Sequence, residues 1–366
     1  MRVLFFGTYD AEAMTRIRVL QEGFAALGDQ VEECNVPLAL DTAWRVRILQ
    51  RPWLLPVLAY RLCSAWARLL ARARGRVEPD AVVVGYMGHF DVHLARLLWR
   101  RQPVALDHLV SGADTAVDRR SGSSLLLRLL GLVDRAALRA GKVPFVDTEE
   151  NLELLAPEFR REAVVVSVGA PMRWFHEPPA TASEGPLRVV FYGSYTPLHG
   201  ATVIGEAIAL LADEDSSLRF TMVGTGQDYE RARAAAGSCE AVTWIDWIDP
   251  ADLPRVVAEH DVCLGIFGTT PKAQRVVPMK VFGGAAAGCA VVTSDTGPQR
   301  RALGDAGSFV PAGDPEALAE TLRALAAAPE RAHELRRAAY RRAEEAFRPA
   351  TSVRGLRERL LELART

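Results

Sequence analysis

Near its midpoint the chain reads Arg188-Val-Val-Phe-Tyr-Gly-Ser-Tyr195, and directly after Met1 it reads Arg2-Val-Leu-Phe-Phe-Gly-Thr-Tyr9. Each stretch is a short apolar run that ends at a glycine and leads into a helical pattern, which is how a doubly wound α/β half begins. A segment rich in proline and small residues, Glu177–Pro186, comes just before the second copy. The repeat therefore predicts two Rossmann-like α/β halves.

The domain boundaries follow from this repeat. We expect a first domain over residues 1–175, a linker over 176–186, a second domain over 187–348 and a final helix over 349–366. Apolar runs alternate with helical segments in both halves, as in a parallel sheet covered by helices. Open α/β sheets bind their ligands at the carboxyl ends of the strands. The glycines and charged residues that follow the strands are therefore the candidate site residues.

Composition excludes several classes of protein. The 366 residues carry a formal net charge of −1, so the chain lacks the broad basic field of a nucleic-acid-binding protein. Its five cysteines are scattered without a Cys-x-x-Cys pair, which argues against a disulfide framework and fits a reducing cytoplasm. The first residues run straight into a strand pattern, without the layout of a signal peptide. We also expect no membrane-spanning helix, because every long apolar window contains charge.

Several common catalytic motifs are absent from the sequence. Gly224-Thr-Gly226 lacks the third glycine of a dinucleotide fingerprint, and neither a P-loop nor a Gly-x-Ser-x-Gly elbow occurs. His89 and His93 have the spacing of metal ligands but no convincing third ligand. The sequence Asp213-Glu-Asp215 lacks the apolar flanks of a metal-binding Asp-x-Asp motif. We therefore predict neither a nicotinamide cofactor nor a metal site.

The positions of the lysines are informative because the chain has only three, against 41 arginines. Lys272 and Lys280 lie eight positions apart with Arg275 between them, after an apolar strand and before a small-residue helix. Such a cationic cluster suits a phosphate-bearing ligand. Alternatively, the two lysines occur here by chance in an arginine-rich chain and have no function. Together with the glycine-ended loops, the cluster predicts a nucleotide diphosphate site that does not require a metal.

The segment 42–77 has a different composition. It contains eight arginines, no acidic residue, and Trp44, Trp53 and Trp66 among leucines. A basic, aromatic amphipathic helix of this kind can lie on an anionic membrane surface. It can equally be a solvated helix that packs its tryptophans on the first domain. Both interpretations remain open at this stage.

The sequence resembles a known group, the GT-B glycosyltransferases, and in particular the retaining glycosyltransferase family 4. The resemblance covers nearly the whole chain, and the order and spacing of its motifs are specific. In the second half it rests on Val189–Gly200, Phe220–Gly226, His260–Gly268 and Pro278–Thr293, and in the first half on Gly7–Tyr9, Val84–Asp91, Asp107–Thr115, Asp147–Glu150 and Val168–Pro171.

The resemblance implies two facing Rossmann-like domains, with the last helix returning to the first domain. It implies a retaining, metal-independent transfer of a sugar from a nucleotide diphosphate donor to a saccharide, lipid-linked or natural-product acceptor, with no cofactor. The donor would bind mainly to the second domain. The implied donor-binding residues are Gly193, Ser194, His199, Gly224, Gly226, Lys272, Arg275, Lys280 and Gly283.

Four of these residues depart from the family's pattern. Ser194 and His199 stand where the family usually has basic residues, and His199 would replace a lysine if it were protonated near the diphosphate. Arg275 and Gly283 occupy the two acidic positions of the family's Glu-x7-Glu pattern. Because the second acid commonly binds the nucleotide ribose, Gly283 implies that the donor is bound through different contacts.

On the acceptor side, the resemblance points to the first domain. His108 and Asp107, at the end of a predicted strand, are the candidate catalytic residues, and His108 would orient or deprotonate an acceptor hydroxyl. The remaining acceptor-side candidates are Gly7, Thr8, Arg16, His89 and Asp114.

Two other functions compete with sugar transfer. The missing acids are compatible with a related enzyme that couples a non-sugar group such as a cyclitol, and with a non-catalytic nucleotide-binding module. The basic segment favours a lipid-linked acceptor over a soluble one, and with it a location in the cytoplasm or at the cytoplasmic face of the membrane.

Overall fold

A computed structural model describes residues 1–10, 15–38, 52–109, 111–118, 124–212 and 217–365. The chain forms two compact units, one of Met1–Ser167 with Ser352–Thr366 and the other of Val168–Thr351. Residues 42–51 of the basic segment, with Trp44, and the Asp213-Glu-Asp215 sequence lie outside the described residues. Within the described ranges, no helix has the length and apolar character needed to cross a membrane.

The first unit is built on a parallel sheet, as the apolar runs predicted. Its described strands lie in the order β2-β1-β3-β4-β5-β6, so the direction of winding reverses between β1 and β3. The strands β3, β4 and β5 are buried on both faces, which is why they read as continuous apolar runs. The strands are β1 (Arg2–Gly7), β2 (Gln30–Asn35), β3 (Ala81–Val84), β4 (Val104–Asp107), β5 (Val143–Val146) and β6 (Val164–Val165).

Helices cover both faces of this sheet, and two apolar clusters form the core of the unit, one on each face. The described helices are α1 (Thr15–Ala26), α2 (Leu55–Ala73) after a 3₁₀ turn at Pro52–Leu54, α3 (Asp91–Leu98), α4 (Gly112–Asp118), α5 (Ser124–Ala140), α6 (Glu149–Leu154) and α7 (Pro157–Arg160).

The second unit repeats the architecture with its own parallel sheet. Its strand order is β12-β11-β10-β7-β8-β9, the order of a dinucleotide-binding Rossmann sheet, and the winding reverses between β7 and β10. Ligands of such sheets bind at this reversal, beyond the carboxyl ends of the strands. The strands are β7 (Leu187–Tyr192), β8 (Leu218–Val223), β9 (Val242–Ile245), β10 (Val262–Leu264), β11 (Ala290–Ser294) and β12 (Gly307–Val310).

Residues 315–346 form two helices separated by a break. The break falls at Ala328, and Pro329 begins the second helix, because proline has no N–H to continue the first. The described helices of this unit are α8 (Ala201–Leu211), α9 (Tyr229–Ala236), α10 (Leu253–Ala258), α11 (Met279–Ala286), α12 (Gly297–Leu303), α13 (Pro315–Ala327) and α14 (Pro329–Ala346), with 3₁₀ turns at Met172–Trp174, Pro197–His199 and Gly304–Ala306.

The final helix, α15 (Pro349–Ala364), belongs to the first unit. Val353, Leu356 and Leu360 are fully buried in the cluster that contains the β1 and β3 side chains. Arg357 anchors the helix through a 2.6 Å contact from Nε to Asp29 Oδ2, and Asp29 also accepts from the N-terminal ammonium at 2.9 Å. The predicted return of the last helix to the first domain is therefore confirmed.

Candidate functional site

The loops that follow β7 and β8 approach each other backbone to backbone. Gly193 follows β7 with a φ of 131°, and Gly224 follows β8 with a φ of 108°; both are conformations that residues with a Cβ rarely adopt. A Cβ on Gly224 would lie 2.1 Å from the Gly193 carbonyl oxygen. Gly226, the third predicted glycine, packs against the backbone of Tyr195. The glycines thus let the two loops approach each other closely beside the reversal of the sheet.

Lys280 is the most unusual group at this reversal. It lies in the first turn of α11 and is 3% exposed. Its Nζ lies 4.0 Å from the centroid of the Phe191 ring of β7, and a Cβ on Gly193 would come within 3.3 Å of it. Among the described residues the ammonium group has no hydrogen-bond partner. Burial lowers the pKa of Lys280 from 10.5 to about 7.

His199 lies beside this lysine and does not add a second positive charge. Burial and the charge of Lys280 hold the pKa of His199 well below its ordinary value, so the free imidazole is neutral near pH 7. Its Nδ1 lies 3.3 Å from the Thr196 hydroxyl. Ser194, on the same loop, is exposed to solvent. In this state His199 can offer a hydrogen bond but does not act as the cation that the family's lysine would supply.

Lys272 and Arg275 lie in the turn that precedes α11. Both are half-buried, and the Arg275 N–H donates to the Lys272 carbonyl at 3.0 Å. Both residues also take part in further interactions within the protein. Lys280 instead points under the Gly193 loop. The three cations are therefore near in sequence but differ in environment, and Lys280 is the one held in an apolar pocket.

Aromatic side chains fill the space beside Gly283. A Cβ at this position would lie 2.5 Å from the Tyr192 hydroxyl and 2.9 Å from the Trp174 ring. The two rings are stacked with their centroids 5.5 Å apart. The Tyr192 hydroxyl and the Trp174 Nε1 are buried and have no hydrogen-bond partner among the described residues. An acidic side chain at position 283 would require these rings to move, which gives a physical reason for the glycine.

In the first unit, Asp91 fixes the loop that follows β1. Its Oδ2 accepts from the Thr8 N–H at 2.7 Å and from the Thr8 hydroxyl at 2.8 Å. Its Oδ1 accepts from Trp66 Nε1 at 2.8 Å. Gly7 must lack a side chain here, since a Cβ would lie 3.1 Å from Asp91 Oδ2. Asp91 thus ties the Gly7-Thr8 loop to helix α2.

Asp107 and Arg16 form a buried ion pair. Arg16 Nε lies 3.0 and 2.9 Å from the two carboxylate oxygens, and Arg16 Nη1 donates to the Val166 carbonyl at 3.1 Å. The side chains are 2% and 1% exposed. Because one donor occupies both oxygens of a fully buried carboxylate, this placement favours a structural role for Asp107 over the catalytic role expected from the sequence.

His108 and His89 form a pair beside this ion pair. Their ring centroids are 5.5 Å apart, and His89 Nε2 lies 3.1 Å from Asp134 Oδ1. Burial, and next the neighbouring His89, lowers the pKa of His108 to about 4, so it is neutral at pH 7. Its Nδ1 is buried without a hydrogen-bond partner among the described residues. A neutral imidazole of this kind orients a hydroxyl better than it captures a proton.

Asp134 is a site residue that the sequence prediction missed. It lies on α5, where its Oδ2 accepts from the Ser111 hydroxyl at 2.7 Å and its Oδ1 from the Gly112 N–H at 3.1 Å. Hydrogen bonds from His89 and Ser111 outweigh burial and hold the pKa of Asp134 at about 2. Asp114, a predicted acceptor-side residue, lies on the neighbouring α4 and is half-buried. Asp134 is the one acidic residue of this otherwise apolar and basic helix, and that pattern could have marked it as a candidate in the sequence.

The spacing of His89 and His93 does not produce a metal centre in the described residues. His93 is exposed, whereas His89 turns inward to Asp134. Across the described residues, no group of three or more His, Cys, Asp or Glu side chains has the arrangement of a metal site.

The described part of the basic segment has two faces. Trp66 turns inward to Asp91, as in the interpretation that packs the tryptophans on the first domain. Trp53 and Tyr60, by contrast, are 69% and 75% exposed. Part of the basic charge is used within the unit, because Arg76 Nη1 lies 3.5 Å from Glu32 Oε2. The exposed aromatic groups lie at the start of α2.

Part of the chain is similar in sequence to known proteins. Residues 186–328 match the family described as Glycosyl transferases group 1. Over 141 residues the chain is 31% identical to phosphatidyl-myo-inositol mannosyltransferase from Mycobacterium leprae, a match that covers 37% of this chain and 36% of that protein. The matched stretch thus spans about a third of that relative's length.

Solved structures with the same fold match this chain over nearly its whole length. Sucrose-phosphate synthase from Thermosynechococcus elongatus has a TM-score of 0.69 at 16% identity and covers 99% of both chains. HepE from Anabaena, in complex with UDP-glucose, has a TM-score of 0.68 at 15% identity and covers 99% of this chain and all of that chain. At such identities the likeness concerns the fold alone.

The fold is therefore that of the GT-B proteins, and the prediction of two Rossmann-like sheets of this class is confirmed. Residues 186–328 match the glycosyl transferases group 1 family, the family type that the sequence resembles.

Proposed function

We propose that this protein is a retaining, metal-independent glycosyltransferase that moves a sugar from a nucleotide diphosphate to an acceptor. The observation that carries the proposal is Lys280, a buried ammonium without a hydrogen-bond partner among the described residues. It lies beneath the Gly193 loop, at the point where nucleotide-binding sheets hold their ligands. An unpaired buried charge is destabilising, so its presence is best explained by an anion that completes the site.

In the proposed reaction, the bond between the sugar's anomeric carbon and the diphosphate oxygen breaks, the acceptor hydroxyl oxygen bonds to that carbon, and the hydroxyl proton passes to the departing diphosphate. Negative charge then develops on the diphosphate. Lys280 is placed to hydrogen-bond this leaving group in a site of low dielectric, where one charge-assisted hydrogen bond contributes about 1.5–3 kcal/mol. Gly193 has no side chain, so a diphosphate can approach the backbone of this loop beside the Lys280 ammonium.

The remaining donor contacts follow from the same placement. Ser194 and His199 would hydrogen-bond the phosphates as neutral groups, and Lys272 and Arg275 would contribute from the turn before α11. At Gly283 the family's acid is absent, and the unpartnered Tyr192 hydroxyl and Trp174 Nε1 are the polar groups beside that position. We infer that this protein binds the nucleotide with the aromatic side chains of Tyr192 and Trp174, at the position where the family pattern has a carboxylate.

The first unit would bind the acceptor through the residues around His108. Neutral His108 has an unpartnered Nδ1 that can accept a hydrogen bond from an acceptor hydroxyl, and His89, whose Nε2 lies 3.1 Å from Asp134 Oδ1, packs against its ring. Asp107 then acts by holding Arg16 rather than by touching the acceptor.

We further propose a lipid-linked acceptor and a peripheral contact with the membrane through the segment 42–77. The exposed Trp53 and Tyr60 at the start of α2 supply the apolar anchors that such a contact needs. The mannosyltransferase from Mycobacterium leprae, whose name includes a phosphatidylinositol acceptor, makes this acceptor class the first to test.

Titration calorimetry with UDP, GDP and ADP tests the donor site. Binding of one nucleoside diphosphate in the presence of EDTA supports the proposal, whereas no binding of any of them overturns it. The donor sugar of that nucleotide is then supplied with lipid and soluble acceptors, and nuclear magnetic resonance of the product reads its anomeric configuration. Binding without transfer or hydrolysis would identify a non-catalytic nucleotide-binding module, and an inverted product would exclude a retaining mechanism.

A further inference from the structure

Helix α5 (Ser124–Ala140) carries an exposed apolar stripe on its outer face. Leu125, Leu129 and Leu132 are 66%, 51% and 62% exposed. Their spacing of four and then three residues places them in one row along the helix. Isolated exposed leucines are ordinary, but three in one row form a continuous surface that water does not favour.

The charges on this face all have one sign. Arg128, Arg135 and Arg139 are exposed on α5, and no ion pair to any of them is present among the described residues. The helix contains one acid, Asp134, and this side chain is buried, where it binds Ser111 and His89. The outer face of α5 therefore combines leucines with arginines and has no exposed carboxylate.

We propose that this leucine and arginine face of α5 docks on an anionic lipid surface. Leucines would enter the boundary between head groups and acyl chains, and the arginines would meet the lipid phosphates. A second copy of this chain fits the face less well, because a symmetric pairing of the face with itself would bring like charges together. The surface is distinct in sequence from the basic segment 42–77.

The position of α5 connects this surface to the candidate acceptor site. The inner side of the same helix presents Asp134 to His89, and the His89 ring packs against His108. If the proposed function holds, a lipid docked at α5 would lie against the helix that positions the acceptor-side histidines. This last step rests on the proposed function, whereas the docking itself does not.

Sedimentation with vesicles tests the docking without any sugar donor. We compare phosphatidylcholine vesicles with and without phosphatidylglycerol, using the full chain and the triple variant Leu125→Gln, Leu129→Gln, Leu132→Gln. The wild-type chain is expected to bind the anionic vesicles, and the triple variant to bind them at least about tenfold more weakly.

A matched control is available on another exposed helix of the same unit. Leu154 of α6 is 62% exposed, as Leu132 is, but its helix carries Glu149, Glu150 and Glu153 and no basic residue. Leu154→Gln should leave vesicle binding unchanged. A second triple variant, Arg128→Gln, Arg135→Gln, Arg139→Gln, should reduce binding at low salt and weaken its salt dependence. Circular dichroism melting curves confirm that each variant is folded.

Three outcomes would overturn the proposal. Wild-type protein that stays in the supernatant with anionic vesicles would exclude the docking surface. Undiminished binding of the folded leucine variant would assign the contact to another segment, with 42–77 as the first choice. A dimer of the wild-type chain that the leucine variant abolishes, seen by light scattering, would identify the face as an interface between copies. None of these readouts depends on nucleotide binding or sugar transfer.

Discussion

Replacing Lys280 with methionine removes a buried ammonium while keeping most of the side-chain volume, and it should stabilise the free protein while weakening nucleotide binding. The pKa of Lys280 falls from 10.5 to about 7, which corresponds to about 5 kcal/mol at about 1.4 kcal/mol for each pKa unit. This is the free energy by which burial disfavours the charged lysine. Substitution of buried charges by apolar groups of similar volume has stabilised other proteins by about 1–4 kcal/mol, and we expect a gain in that range for Lys280→Met at pH 7.

The sign of the pH dependence follows from the lowered pKa of Lys280. Between about pH 7 and pH 10.5 the unfolded chain binds more protons at this residue than the folded chain does. The free energy of unfolding of the wild type should therefore rise with pH across this window. The stability difference between Lys280→Met and wild type should be largest below about pH 7 and should shrink as the pH approaches 10.

Nucleotide should narrow the stability difference between the two proteins, because it stabilises the wild type more than the variant. Saturation of the wild type at a hundred times its dissociation constant stabilises it by about 2.7 kcal/mol. Loss of one charge-assisted hydrogen bond of about 1.5–3 kcal/mol would weaken the affinity of Lys280→Met about tenfold to a hundredfold. At the same nucleotide concentration the variant should then gain only about 0.4–1.4 kcal/mol.

Urea unfolding with and without UDP and GDP measures both effects, and Lys142→Met is the matched control. Lys142 is exposed, so its replacement should leave both the stability of the free protein and the nucleotide shift near wild type. Lower stability of Lys280→Met together with an undiminished nucleotide shift would refute the reasoning, because Lys280 would then be a packing residue and not an anion contact.

Three further predictions concern the two candidate sites. Nucleotide affinity should fall above about pH 7, by up to about tenfold per pH unit, because the anion binds charged Lys280; a flat profile in calorimetry would contradict this. Gly283→Ala should destabilise the protein by about 1–3 kcal/mol in urea unfolding, because its Cβ would lie 2.5 Å from the Tyr192 hydroxyl. Gly131→Ala on α5 meets open space and should stabilise the protein by up to about 1 kcal/mol. Stability changes of the same sign in both variants would disprove the steric account. His108→Ala should reduce the rate of transfer about a hundredfold while nucleotide affinity stays unchanged, and equal loss of both would indicate misfolding instead of a role at the acceptor.

Much of the fold could be predicted from the sequence because its signals are local. Apolar runs such as 81–84 and 104–107 are strands in the structure, and the two glycine-ended repeats begin the two parallel sheets. The glycines at 193 and 224 adopt positive φ angles, a property that depends on the residue itself and its immediate neighbours.

The candidate site was only partly accessible from the sequence. The cationic cluster placed Lys272, Arg275 and Lys280 together as equivalent charges. The structure separates them, since Lys280 alone of the three is buried beside Phe191 while the other two lie half-buried in a turn. Whether a charge is solvated or desolvated depends on what packs around it, and no local pattern reports that.

By itself, therefore, the sequence determined the two parallel α/β sheets, the loops at their carboxyl ends and the residue types in those loops. Only the tertiary structure decided how these residues are used. It paired Asp107 with Arg16, joined Asp134 to His89, and filled the space at Gly283 with Trp174 and Tyr192. The reason is physical: strands and turns arise from neighbours along the chain, whereas ion pairs, burial and close packing join residues that are far apart in sequence and meet only when the sheets and helices assemble.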